Sequence, residues 1–138
     1  MKLHTTNYYN TFITIADDCP AVTGETPPAK SDKPSVAAMQ FELLAGQPYQ
    51  HTSDDVLFQV FALKNDLTQK EWAEARMSFF SKGQPCFRAS PLTKRYGWGV
   101  HFNAEGKMAI YGCETSEYKR LSADETIRQL KAMRTSKG

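Results

Sequence analysis

Residues 103–107, Asn-Ala-Glu-Gly-Lys, separate two runs of aromatic and apolar residues, and this arrangement constrains the fold more than any other stretch. Glycine at the fourth place supplies the left-handed residue of a type I turn followed by a bulge, so Asn103 is predicted to pair with Lys107. Side chains alternate along a strand. That register sends Tyr96, Trp98, Val100, Phe102, Met108 and Ile110 to one face, and Gly97, Gly99, His101, Ala109, Tyr111 and Cys113 to the other. The first set reads as core. In the second, Gly99 falls opposite Tyr111 and Gly97 opposite Cys113, leaving the backbone nearly bare. Interior strand glycines mark a bulge or a close approach by a ligand or another backbone; the plainer account is a tyrosine ring packed over glycine.

Periodicity and capping supply the flanking elements. Residues 8–16 (YYNTFITIA) alternate as a first strand. Residues 17–34 carry Pro20, Gly24, Pro27, Pro28 and Pro34, which oppose helix and sheet alike, and read as an ordered surface strap. Ser35 caps a helix bearing Val36, Met39 and Leu43, which Gly46 and Pro48 end. Residues 56–63 (VLFQVFAL) are apolar on both alternations and are predicted as a strand buried on both faces, with a buried helix as the alternative. Thr68 and Glu71 form a capping box, with Leu67 and Trp72 at the staple positions, so a helix is predicted over 69–82. Arg76 falls on its apolar side and is expected to pair with a carboxylate inside the fold. After the hairpin, 115–121 read as a single turn. Ser122 with Glu125 reads as the capping box of a last helix bearing Ile127, Leu130 and Met133, and 135–138 as a frayed tail.

These elements predict one α+β domain over residues 1–138. Its sheet is mixed or mostly antiparallel with about four strands, and three helices lie mainly on one face. A chain of 138 residues with 41% hydrophobic content folds without staples. No apolar run approaches the roughly 20 residues of a membrane span, and the N-terminal stretch lacks the apolar region of a signal peptide. A cytoplasmic protein with no membrane partner is expected. The three cysteines, Cys19, Cys86 and Cys113, form no CxxC pair, so neither a disulfide framework nor a metal site is predicted, and no cofactor.

Charge is uneven. The net charge is +2, but residues 82–107 carry +4 and the remainder −2. Within the loop 87–96, Arg88, Lys94 and Arg95 accompany Ser90 and Thr93 without an acid. Arginine offers a planar fork, lysine a point charge and a hydroxyl a neutral donor, a set suited to phosphate or carboxylate. Solvated surface charge is the competing account. The predicted ligand-binding set is Arg88, Ser90, Lys94 and Arg95 as anion contacts, with His101 and Tyr111 lining the open face of the hairpin and Trp98 anchoring the loop. The competing function is a protein or nucleic-acid interaction module without catalysis; the lack of a broad basic stripe weighs against nucleic acid. Monomer and homodimer both stay open. There is no P-loop, dinucleotide fingerprint, GxSxG or HExxH motif, so no catalytic residue is assigned. Cys86 and His101 are the candidates for a nucleophile and base, against the plainer account of a packed thiol.

The stretches NYYNTFITIADDCP, YQHTSDDVLFQVF, FFSKGQPCFRASPLTKRYGWGVHF and EGKMAIYG span almost the whole chain. Together they resemble a small bacterial family, the domain of unknown function numbered 6157. The resemblance implies a single-domain bacterial protein and brings no catalytic or binding residue with it.

Overall fold

The hairpin turn forms as its residues dictate. In the computed structural model, which describes residues 3–28 and 34–135, Gly106 takes φ +79° and Asn103 N donates to Lys107 O at 3.0 Å. The Asn103 side chain tightens the turn by accepting from Glu105 N and Lys107 N at 2.9 and 3.0 Å.

Around this turn the chain runs β1 (Thr11–Thr14), α1 (Val36–Ala45), α2 (Ser53–Lys64), α3 (Gln69–Phe80), α4 (Pro91–Lys94), β2 (Trp98–Phe102), β3 (Met108–Gly112), α5 (Ser116–Ser122) and β4 (Arg128–Lys131). A 3-10 turn over Phe87–Ala89 precedes α4. The strands form one mixed sheet in the order β3-β2-β1-β4. β2 is antiparallel to both β3 and β1, with Gly99 opposite Tyr111 and His101 opposite Phe12, while β4 lies parallel to β1. The predicted α+β class and mixed sheet are those observed.

Alternation then sorts the two faces. Ile13, Val100, Phe102 and Met108 join Met39 and Leu44 of α1, Val56 and Val60 of α2 and Leu92 of α4 in the main core. The opposite face carries Phe12, Gly99, His101 and Tyr111, and α5 crosses part of it. Tyr118 of α5 packs edge-on against Phe12 with ring centroids 5.1 Å apart, and its hydroxyl accepts from Ile15 N at 3.0 Å. A methyl group at residue 99 would meet Tyr118 Cε2 at 2.5 Å and Phe12 Cζ at 2.6 Å. A tyrosine does cover the glycine, but it is Tyr118 from a helix.

Three segments differ from the sequence prediction. Residues 56–63 belong to helix α2, the alternative, and not to a strand. Thr52 Oγ1 accepts from Asp55 N and Asp55 Oδ2 accepts from Thr52 N, a capping box with aspartate in the third helical position. The segment is apolar on both alternations because the helix is buried on two sides: Val56 and Val60 face the main core, Phe58 and Ala62 a second cluster with Phe80 of α3. The predicted last helix is instead β4, preceded by the real helix α5 where a single turn was expected. Ser122 closes α5 by donating to Lys119 O, and the turn after it belongs to Asp124, whose carboxylate accepts from Thr126 N and Oγ1. With that turn made, 128–131 extend along the free edge of β1. Leu130, opposite Ile13, packs against the main core.

Helix α3 starts at Gln69 as predicted, where Glu71 Oε1 accepts from both Thr68 N and Thr68 Oγ1. Arg76 pairs with Asp55 at 3.1 Å and stacks over Phe58 and Phe80. With 42% of its side chain exposed, it is a snorkelling cation and not a buried charge. The strap is held where described: Glu25 N donates to Tyr96 O, Gly24 N to Glu114, and Trp98 Nε1 to Glu25 O. Residues 29–33 of the strap and 136–138 of the expected tail lie outside the described residues; Thr135 N is held by the Asp18 carboxylate.

Gly99→Ala should therefore destabilise the fold by about 1–3 kcal/mol, the usual cost of forcing a methyl group into a packed site. Urea denaturation measures this, and an unchanged midpoint would mean that the Tyr118 ring is free to move away.

Candidate functional site

The short segment 86–96 builds the basic loop around buried hydroxyls. Ser90, 4% exposed, caps α4 by accepting from Leu92 N at 3.1 Å and donates to Gln40 Oε1 at 2.6 Å. Thr93 Oγ1 donates back to Phe87 O at 2.8 Å. Neither hydroxyl faces solvent. Arg88 ties the loop to the sheet edge, its Nε donating to Lys131 O at 2.7 Å and its carbonyl accepting from Met133 N at 2.7 Å. Of the four predicted anion contacts, Lys94 and Arg95 line a common cavity.

That cavity has a volume of about 280 Å³ and is lined by Lys94, Arg95 and Tyr96 on one side and by Ser35 and Ala37 of α1 on the other. Among the described residues none that lines it is acidic. Among the described residues neither cation has a carboxylate partner. Ser35 Oγ satisfies Ala38 N and Ser35 O satisfies Met39 N; the N–H groups of Val36 and Ala37 have no protein acceptor among the described residues. Such first-turn groups carry the positive end of the helix dipole.

His101 and Tyr111 are elsewhere. The alternation that puts Val100 in the core turns His101 to the outer face, so the sheet stands between them and Leu92 of the basic loop. The predicted site is thus divided in two. On the outer face the two residues meet Tyr49, whose hydroxyl lies 2.8 Å from His101 Nδ1 and 2.8 Å from Tyr111 Oη. Tyr49 arrives there because residues 49–52 pair with the edge of β3: Tyr49 N donates to Met108 O and Met108 N to His51 O. Its backbone takes φ +60°, a left-handed conformation that a bulky residue rarely adopts and that its surroundings must impose.

In this cluster a neutral His101 accepting from Tyr49 at Nδ1 carries its proton on Nε2. Burial holds the His101 imidazole below its ordinary value, the nearby Arg120 guanidinium acts in the same direction, and Asp124 opposes them. Burial and the Tyr111 hydroxyl push the Tyr49 phenol far upward, so it stays a donor at neutral pH. The arrangement can present one imidazole N–H and two phenols to a polar group. Tyr49 was not foreseen, since nothing in Pro48-Tyr49-Gln50 distinguishes it from an ordinary turn aromatic. The thiol of Cys86 is hydrogen-bonded to Tyr8 Oη at 3.2 Å; it does not meet His101, which bonds to Tyr49 on the far side of the sheet. Among the described residues no three His, Cys, Asp or Glu side chains converge as a metal site.

A protein-family model, described as a family of unknown function (DUF6157), matches residues 3–138. No curated protein and no solved structure matches the chain.

A lowered native pKa on His101 fixes the sign of a pH effect. The unfolded chain binds the proton near 6.5, before the native state does. Stability is therefore complete above that value, declines as pH falls through it, and levels off below the depressed native value. His101→Gln should remove this step, so the difference in urea midpoint between wild type and variant should change between pH 7.5 and pH 5. Parallel pH profiles would show that the imidazole titrates as in the unfolded chain.

Proposed function

We propose that this chain, which belongs to the family of unknown function DUF6157, is a small-anion binding domain that takes a phosphate or carboxylate group between the first turn of α1 and α4. The observation that supports the reading is the lining of that cavity: Lys94 and Arg95 with no acid among the described residues that line it, beside the N-terminus of a ten-residue helix. Arginine grips such a group through its planar fork and lysine through a mobile point charge, and the helix N-terminus adds a field of the same sign. At about 280 Å³ the cavity suits a ligand below drug size. Arg88 and Ser90 support the loop that displays the two cations. The reading assigns binding and no reaction.

A bacterial, cytoplasmic setting accompanies this proposal. The three cysteines are unpaired thiols, as suits a reducing compartment. No helix among the described residues is long and apolar enough to cross a membrane.

Inorganic phosphate or sulfate should raise the melting temperature in a saturable way, following RT ln(1 + [L]/Kd), which is about 2.7 kcal/mol at a hundredfold excess over Kd. Chloride at matched ionic strength should not, since screening needs no particular side chain. Lys94→Ala combined with Arg95→Ala should abolish the response while leaving unliganded stability within about 0.5 kcal/mol, as for surface positions. Arg88→Ala should lower stability through the lost tie to β4 and keep the phosphate response. A full response in the Lys94/Arg95 double variant would remove the site from this cavity.

A further inference from the structure

A second cavity, of about 340 Å³, opens between α1, α2, the end of α3 and the loop leading to α4. Its volume falls at the lower end of those that hold drug-sized molecules. The walls are mainly apolar, formed by Val36, Leu57, Val60, Phe61, Phe79 and Pro91. One polar group in them stands out. Gln40 lines the cavity although it is only 2% exposed. Its Oε1 accepts from Ser90 Oγ at 2.6 Å, and because Ser90 Oγ already accepts from Leu92 N, the serine proton is the one shared. The amide nitrogen is left over. Among the described residues Gln40 Nε2 has no protein acceptor, whereas Gln84 in the same wall spends its Nε2 on Phe79 O at 2.7 Å. No fully buried side-chain nitrogen or oxygen among the described residues lacks a partner, so this nitrogen keeps contact with the cavity and is free to donate to what occupies it.

We infer that this cavity binds a small monocarboxylic acid with an apolar body, aliphatic or aromatic, whose carboxylate accepts from Gln40 Nε2. Two observations choose an acid over a neutral molecule. Lys64, in the last turn of α2, lines the cavity and has no carboxylate partner among the described residues. No aspartate or glutamate among the described residues lines it, so an anion meets attraction from the ammonium and no opposing charge from them. The apolar walls take the body of the ligand, and the amide fixes the end that carries the oxygens. This site is separate from the cavity of Lys94 and Arg95: it uses other donors and other walls, although Ala89 and Pro91 border both.

Octanoate is a suitable probe, compared with 1-octanol and octylamine at equal concentration. Octanoate should raise the melting temperature saturably, 1-octanol should do so with weaker affinity, and octylamine should not. Lys64→Met should weaken octanoate about fivefold, the order of one exposed ion pair, and leave 1-octanol unchanged. Leu57→Trp, which fills the cavity, should abolish both responses while the phosphate response of the Lys94/Arg95 cavity persists. Because that variant can fail to fold, occupancy is also read at Cys86, which lines the cavity. In a Cys19→Ser, Cys113→Ser background, octanoate should slow maleimide modification of Cys86 with the same concentration dependence as the thermal shift. The inference is overturned by octylamine matching octanoate, by an undiminished octanoate response in folded Leu57→Trp, by unprotected Cys86, or by the absence of saturable stabilisation.

Discussion

The molecule depends on the two-residue period of β2. Gly99 and His101 cannot share a face with Trp98, Val100 and Phe102, so one strand builds two surfaces of different chemistry. On the inner side Val100 and Phe102 gather three helices into the main core. On the outer side the bare backbone at Gly99 admits the Tyr118 ring, and this close approach lets a helix of only seven residues seat against the sheet. The polar cluster of Tyr49, His101 and Tyr111 occupies the outer surface beyond that ring. The basic loop follows α4 to the inner side. One alternation therefore decides which polar groups can cooperate.

Where local chemistry and tertiary burial agree, the sequence was legible. The hairpin register, the Ser35 cap and the Gln69 start each rest on contacts within a few residues, and each stands in the structure. Helix α2 was misread because a helix buried on two sides carries apolar residues at every alternation, as a central strand does. Its Thr52–Asp55 box was the available arbiter. The segment 128–131 offers no comparable clue. Three of its four residues are exposed, and it becomes a strand through backbone pairing with β1, a partner that local pattern does not reveal. Its apparent Ser122–Glu125 box has the right spacing, yet both hydroxyl and turn serve other ends.

The candidate residues were legible by type and not by place. Composition identified Arg88 to Arg95 as a concentration of donors, and Lys94 with Arg95 does line a cavity. Ser90 and Arg88 were drawn into the architecture because a tight loop has orphan backbone groups of its own, and nearby hydroxyl and guanidinium groups satisfy them first. His101 and Tyr111 were rightly paired on one strand face, and the third member came from a loop 52 residues before His101. Gln40 gave no sign in the sequence, since its spare donor exists only after Ser90 has taken its oxygen.

The parallel pairing of β1 with β4 sets the order in which the chain can assemble. Thr14 Oγ1 reaches Leu130 O across 116 residues, within the strand pairing that closes the longest loop of the sheet. The hairpin β2–β3 forms from neighbours, and β1 can join it once the intervening helices have collapsed, but the fourth strand waits for residues 128–131 to leave the ribosome. Until then β1 presents an open edge of unpaired N–H and C=O groups. A nascent chain is thus exposed to mispairing through its first strand until its last is made, and contacts of such long range slow folding more than they strengthen the finished sheet.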